Sequence, residues 1–109
     1  MKISILLPYK ENFAPNYAGA VSLFVNDITK QSIYKDSTFI FGNTSSKKKL
    51  SKNYINLNLK KKIFHSTSKL YVDTFLDHHK KISTDLVEVH NRPNYINLIK
   101  KKFKNKLIL

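Results

Sequence analysis

Apolar positions along the chain fall into short runs whose spacing switches between two periods. Ile3-Ser4-Ile5-Leu6-Leu7 is close to uninterrupted, and predicts a buried strand over residues 2–7, stopped by Pro8. Thr38-Phe39-Ile40-Phe41 predicts a second strand, closed by Gly42-Asn43. Tyr54-Ile55-Asn56-Leu57-Asn58-Leu59 alternates apolar with polar, as a short edge-like strand does. Leu86-Val87-Glu88-Val89 is a β-branched run of the kind that fills a buried parallel strand. Lys106-Leu107-Ile108-Leu109 begins another.

Between these runs the period lengthens to that of a helix. Ala20, Phe24 and Ile28, with Val21, Leu23 and Val25 beside them, predict a helix with a wide apolar face reaching to about Ile33. A second helix is expected to start near Ser66 or Ser68 as its cap and to run to about Ile82. Val72, Phe75, Leu76 and His79 share one side of it. A third is expected from Pro93, which suits a first helical position, to about Phe103. Asn91 or Asn94 is placed to cap it, and Tyr95, Ile96, Ile99 and Phe103 form its buried side. Lys100, Lys101, Lys102 and Lys104 then lie at the negative pole of its dipole. Strand and helix in alternation imply right-handed crossovers: an α/β fold, a Rossmann-like, mostly parallel sheet with flanking helices. The 109 residues make a single domain, and the final strand, with nothing after it, reads as a domain cut short at its C-terminus.

Two places in this pattern can carry chemistry. Residues 8–19 form a long loop holding two of the three prolines and one of the two glycines, and long loops are often functional. The loop ends at Gly19, just before a helix whose first-turn amides and dipole favour an anion. Residues 85–95 carry a strand into a helix through the polar corner His90-Asn91-Arg92-Pro93. In open α/β sheets ligands sit outside the carboxyl ends of the strands, so this corner is where a site belongs.

Charge modifies the reading less than its size suggests. Twenty basic residues against seven acidic give a net charge of +13, the usual mark of a chain that meets nucleic acid or an anionic membrane. Nineteen of the twenty are lysine, however, and Asn and Ile are also abundant at eleven each. These are residues of A/T-rich codons. The bidentate arginines of nucleic-acid readers are missing, so most of the excess reads as a solvated surface, the run Lys60-Lys61-Lys62 included. Arg92, the sole arginine, stands out for that reason.

Other classes are excluded more simply. Without cysteine there is neither a disulfide framework nor a thiolate metal site. His78 and His79 are adjacent and so face different ways on a helix, His65 has no partner in the pattern, and no metal centre is expected. Asp85 and Glu88 do not make the carboxylate pair of a hydrolase, and Glu11 lies in the long loop. No apolar run has the length of a membrane-spanning helix.

Three segments together resemble the start of a GT-B type retaining glycosyltransferase, in the group of the sucrose synthases and many lipopolysaccharide and capsule sugar transferases. They are Met1 to Pro8, Tyr17-Ala18-Gly19-Ala20-Val21-Ser22, and Asp85 to Pro93. The resemblance runs through the whole chain but covers only the N-terminal, acceptor-side part of such an enzyme. It implies that Gly19, His90, Asn91 and Arg92 line an interdomain cleft and bind substrate, with no catalytic residue in this chain. It implies a sugar or lipid-linked glycan acceptor, a nucleotide-sugar donor as substrate of the complete enzyme, and no metal or other cofactor. The donor half, with its paired glutamates, is not in this sequence, which the resemblance makes either a truncated domain or one half of an enzyme whose donor half is a separate chain. Ala18 stands where the family often has a second glycine. The implied place is the cytoplasm or the inner membrane face, where lysines meet anionic lipid. From another class, a non-catalytic basic α/β module binding nucleic acid or another polyanion is the alternative.

Overall fold

The run Ile3–Leu6 is buried at all of its four positions, which a strand achieves only with neighbours on both edges and layers on both faces. The computed structural model, which describes residues 1–60, 66–102 and 107–109, gives it both. This strand, β1, pairs in parallel with β2 (Thr38–Gly42) on one edge and β4 (Leu86–Val89) on the other. β3 (Tyr54–Asn56) extends the sheet beyond β2, and β5 (Leu107–Ile108) beyond β4. The order is β3-β2-β1-β4-β5 with every pair parallel, the Rossmann-like α/β architecture that the alternation predicts.

From β1 the chain moves outward one way, through α1 (Ala20–Gln31) to β2 and on to β3. It then returns across the sheet through α2 (Thr67–His79) to β4, and through α3 (Pro93–Lys100) to β5. Right-handed crossovers in opposite directions put α1 on one face, and α2 with α3 on the other. Two cores result. Leu6, Phe41 and Val87 pack against Tyr71, Val72, Phe75 and Leu76 of α2 and Tyr95 and Ile99 of α3. On the other face Ile3, Ile5, Ile40 and Leu86 meet Val25 of α1 and Phe13 of the long loop.

Helix ends follow local chemistry. Ser66 caps α2, its hydroxyl accepting from the Lys69 amide at 3.2 Å, and the helix stops at His79, short of Ile82. Pro93 opens α3 as expected, but the cap position falls on Arg92 without a side-chain bond, so neither Asn91 nor Asn94 caps it. Phe103, Lys104 and Lys106, like Lys61, Lys62 and His65, lie outside the described residues.

α1 departs furthest from its sequence pattern. The helix ends at Gln31, and its inner side is Ser22, Val25, Asn26 and Thr29. Leu23, Phe24 and Ile28, expected in the core, are 48%, 57% and 40% exposed, and Ile33 lies beyond the helix in solvent. A carboxylate sets this rotation. Glu11 Oε2 accepts from both the amide and the hydroxyl of Ser22, at 3.0 and 2.7 Å, holding that residue toward the sheet.

Candidate functional site

The strand order reverses between β1 and β4, and the C-terminal ends of these strands open on the crevice where α/β sheets place ligands. The ladder holds this edge beyond the strands themselves. Leu7 donates its amide to Phe41 O at 2.9 Å, and His90 donates to Leu6 O at 3.3 Å. His90 is thereby fixed one residue past β4, beside the end of β1. Its ring is half-buried, 6.3 Å from that of Phe24 on α1. His90 Nε2 is buried without a hydrogen-bond partner, with Glu88 Oε2 3.5 Å away, too far for a good one.

The next two residues turn outward. Asn91 sits at φ 56°, in the left-handed region that favours glycine and that asparagine tolerates better than most residues. Arg92 is exposed, and its Nη1 donates to Asn91 O at 2.7 Å, folding the guanidinium back over the turn. His90, Asn91 and Arg92 thus form one corner, and Gly19 belongs to the N-terminus of α1, five residues before Phe24. All four lie on the same edge of the sheet.

Gly19 has an identifiable reason to be glycine. A Cβ there would stand 1.8 Å from Glu11 Oε2 and 2.5 Å from Glu11 Cδ. The missing side chain lets the Glu11 carboxylate reach Ser22, so the positive end of the helix already holds an anion from within the chain. An external phosphate at that point would have to displace it.

A larger opening joins the long loop that the sequence marks to a second loop that it does not. A cavity of about 720 Å³ lies between the loop after β1 and the loop after β2, lined by Lys10, Asn12, Asn16, Tyr17, Asn43, Thr44, Ser45 and Ser46. Its wall is amide and hydroxyl, with one ammonium and one aromatic ring. Asn12 Nδ2 donates to Asn16 O and Tyr17 O at 2.8 and 2.9 Å, and Gly19 N donates back to Asn12 O at 3.2 Å, which closes the loop on itself. Tyr17 is 96% exposed at φ 57°, and Lys10 sits at φ 63°. Two non-glycine residues in that region, both lining the cavity, are the kind of strain that functional loops hold. On the opposite wall Thr44 is buried; its Oγ1 accepts from Phe13 N and lies 2.9 Å from the Tyr54 hydroxyl. Lys49 Nζ donates to Thr44 O and Ser46 O, and desolvation there lowers its pKa. The clue in the sequence was the asparagine-rich loop together with the Asn-Thr-Ser-Ser run after β2.

Tyrosines tie this edge to the core. Tyr71 donates its hydroxyl to Leu7 O at 2.6 Å, and its ring meets those of Tyr9 and Tyr95 at 5.3 and 5.7 Å. Burial, reinforced by the neighbouring Tyr95, Tyr54 and Tyr9, pushes the Tyr71 phenol far above its ordinary pKa. Burial also raises Tyr54, against the opposing effect of its bonds with Thr44. A phenol raised in the folded state favours folding fully below its unfolded pKa of about 10, and that advantage is lost as pH climbs from there. Urea midpoints are therefore expected to fall above about pH 10, and Tyr71→Phe to make the fall shallower. An unchanged slope in Tyr71→Phe would contradict the assignment.

Among the described residues no three His, Asp or Glu side chains converge. His79 is a core residue, buried with its Nε2 2.8 Å from Thr84 Oγ1, while His78 is turned toward the Phe41 ring. No described helix is long and apolar enough to cross a membrane. Comparison with protein-family models, curated proteins and solved structures finds no match to this chain.

Proposed function

We propose that the chain is the acceptor-binding, N-terminal unit of a sugar transferase, and that the acceptor is a hydroxyl-rich glycan or lipid-linked glycan. The observation that carries this reading is the 720 Å³ cavity at the carboxyl edge of the sheet. Its amides and hydroxyls are of the kinds that pair with sugar hydroxyls, and Tyr17 offers an exposed aromatic face for a pyranose to lie against. The corner of His90, Asn91 and Arg92 flanks the same edge, with the Arg92 fork available to an anionic or hydroxylated group of the acceptor. The sheet order supports the reading as well, since it puts the His90 corner at the strand reversal and the cavity beside it, on the same carboxyl edge. The resemblance of the three sequence segments adds the reaction class.

On this reading the nucleotide-sugar donor and its binding half come from elsewhere, and this chain positions the acceptor rather than the leaving group. The lysine surface would hold the assembly at an anionic membrane face in the cytoplasm. The test is ligand-observed NMR with a panel of neutral and anionic oligosaccharides. Binding is expected, weakened about tenfold by Tyr17→Ala through lost ring contact and unaffected by the exposed substitution Lys81→Ala. Absence of sugar binding, with tight salt-sensitive binding of unrelated DNA, would replace this reading with the polyanion module.

A further inference from the structure

The amino-terminal edge of the sheet, opposite the polar cavity, holds a second concavity of about 240 Å³. The second half of α1 supplies Asn26, Thr29 and Lys30 to its wall, and the turn entering β2 supplies Lys35 and Asp36. Ser51 and Lys52, just ahead of β3, complete it. Backbone bonds pin the rim: Asn53 Nδ2 donates to Lys35 O at 2.7 Å, and Asn53 O accepts from Ile40 N at 2.9 Å. Two hydroxyls of this wall lack partners. Thr29 Oγ1 and Ser51 Oγ are buried with no hydrogen bond among the described residues, a state they share there only with His90 Nε2. A threonine inside a helix often returns its hydroxyl to the carbonyl four residues back, as Thr74 does to Leu70 O at 2.7 Å. Thr29, 8% exposed, does not.

A buried hydroxyl without a partner is costly, and two of them on one cavity mark a place where a ligand supplies the missing bonds. Charge decides which ligand. Three lysines less one aspartate leave two positive charges around the cavity, and none of the four forms an ion pair among the described residues. The carboxyl end of α1 offsets this by roughly half a charge. What remains matches the charge of about −1.5 to −2 that a phosphomonoester carries near neutral pH. Donors also outnumber acceptors here. Three ammoniums, two hydroxyls and the Asn26 amide suit an oxygen-rich anion, and a phosphate brings more acceptor oxygens than a carboxylate. Size sets the upper limit: the cavity falls below the roughly 300–1,000 Å³ of pockets that enclose drug-sized ligands, so it suits a compact anion and not a whole nucleotide.

We propose that this cavity binds a terminal phosphate group, with Thr29 and Ser51 donating to its oxygens and Lys30, Lys35 and Lys52 balancing its charge. The site is independent of the sugar reading, since it lies at the other end of the strands. The experiment is an amide NMR titration of the intact chain with inorganic phosphate at constant ionic strength, with acetate as the control anion. Saturable shifts are expected at Thr29, Lys35, Ser51 and their neighbours, and acetate should bind about tenfold more weakly. Thr29→Val keeps the shape and should weaken phosphate about tenfold, while urea stability stays unchanged or rises, because the free chain has no bond there to lose. Ser51→Ala serves where Thr29→Val fails to fold, and the exposed substitution Lys81→Ala should change nothing. Shifts that never saturate and spread over the lysine surface would overturn the proposal. So would saturable binding indifferent to both hydroxyls, or a loss of stability in Thr29→Val. Once phosphate binding is seen, vesicles of phosphatidate identify its source. Co-sedimentation that Thr29→Val weakens places the phosphate on a lipid head group, and co-sedimentation that it leaves unchanged places it on a small soluble ester.

Discussion

Tyr71→Ala is expected to cost about 4 kcal/mol of folding stability, against a total of roughly 5–15 kcal/mol for a domain of this kind. The side chain is fully buried between the sheet and α3, in ring contact with Tyr9 and Tyr95, and its hydroxyl meets the Leu7 carbonyl. Truncation therefore opens a ring-sized cavity and also leaves a buried acceptor without a donor. Tyr71→Phe separates the two effects. It keeps the packing and strands only the Leu7 carbonyl, for a cost of about 1–3 kcal/mol. Urea unfolding at unchanged m-value is the measurement. Equal losses in Ala and Phe would mean that the ring contributes nothing beyond its hydroxyl, contrary to the packing seen. Because Leu7 is the last residue before the loop that lines the polar cavity, both variants should also weaken any ligand held there.

The strands were legible in the sequence because their burial leaves no competing pattern. Ile3, Ile5 and Leu6 are inside whichever way the strand is turned, and Leu86 and Val87 share that property, so composition alone identifies them as central strands. β3 was harder. Leu57 continues the apolar alternation and is buried, with its amide on Gly42 O at 2.7 Å, yet the strand itself ends at Asn56. For α2 the pattern offers Ser66 or Ser68 as cap and an end near Ile82; the cap is Ser66 and the helix stops at His79, with the expected side buried because polar and apolar residues segregate there. The inner side of α1 was not legible. Apolar residues surround most of that helix, so periodicity could not choose which of them face the sheet. A distant carboxylate made the choice by fixing Ser22 inward.

The candidate site was legible only where it followed strand ends. The strand-to-corner pattern at Val89-His90 correctly put three polar residues at the carboxyl edge of β4. The larger cavity depends on two loops that are 31 residues apart in sequence, joined where Phe13 N donates to Thr44 Oγ1. Nothing local in either loop announces the other. Backbone at positive φ in Lys10 and Tyr17 is also invisible to residue-type reasoning, which expects glycine or asparagine there.

Glu11 and Gly19 are expected to behave as one unit in stability. Glu11→Ala removes an anion that accepts two hydrogen bonds from Ser22 at the first turn of α1, a loss of up to about 2 kcal/mol in a partly buried geometry. Gly19→Ala should lose nearly as much by another route. The backbone there, at φ −69°, tolerates alanine, so strain is not the cause; the added Cβ overlaps the Glu11 carboxylate and drives it off Ser22. Once Glu11 is alanine, nothing remains for that Cβ to displace. The double variant should then fall close to Glu11→Ala alone, leaving a coupling energy of about 1–2 kcal/mol in the cycle. Additive losses would show that Gly19 serves some purpose other than making room for Glu11. A rise in phosphate or sugar-phosphate affinity in Glu11→Ala, read by the same NMR titration, would show in addition that the vacated helix terminus accepts an external anion. That outcome would make the internal carboxylate a placeholder for substrate, and unchanged affinity would make it a purely structural cap.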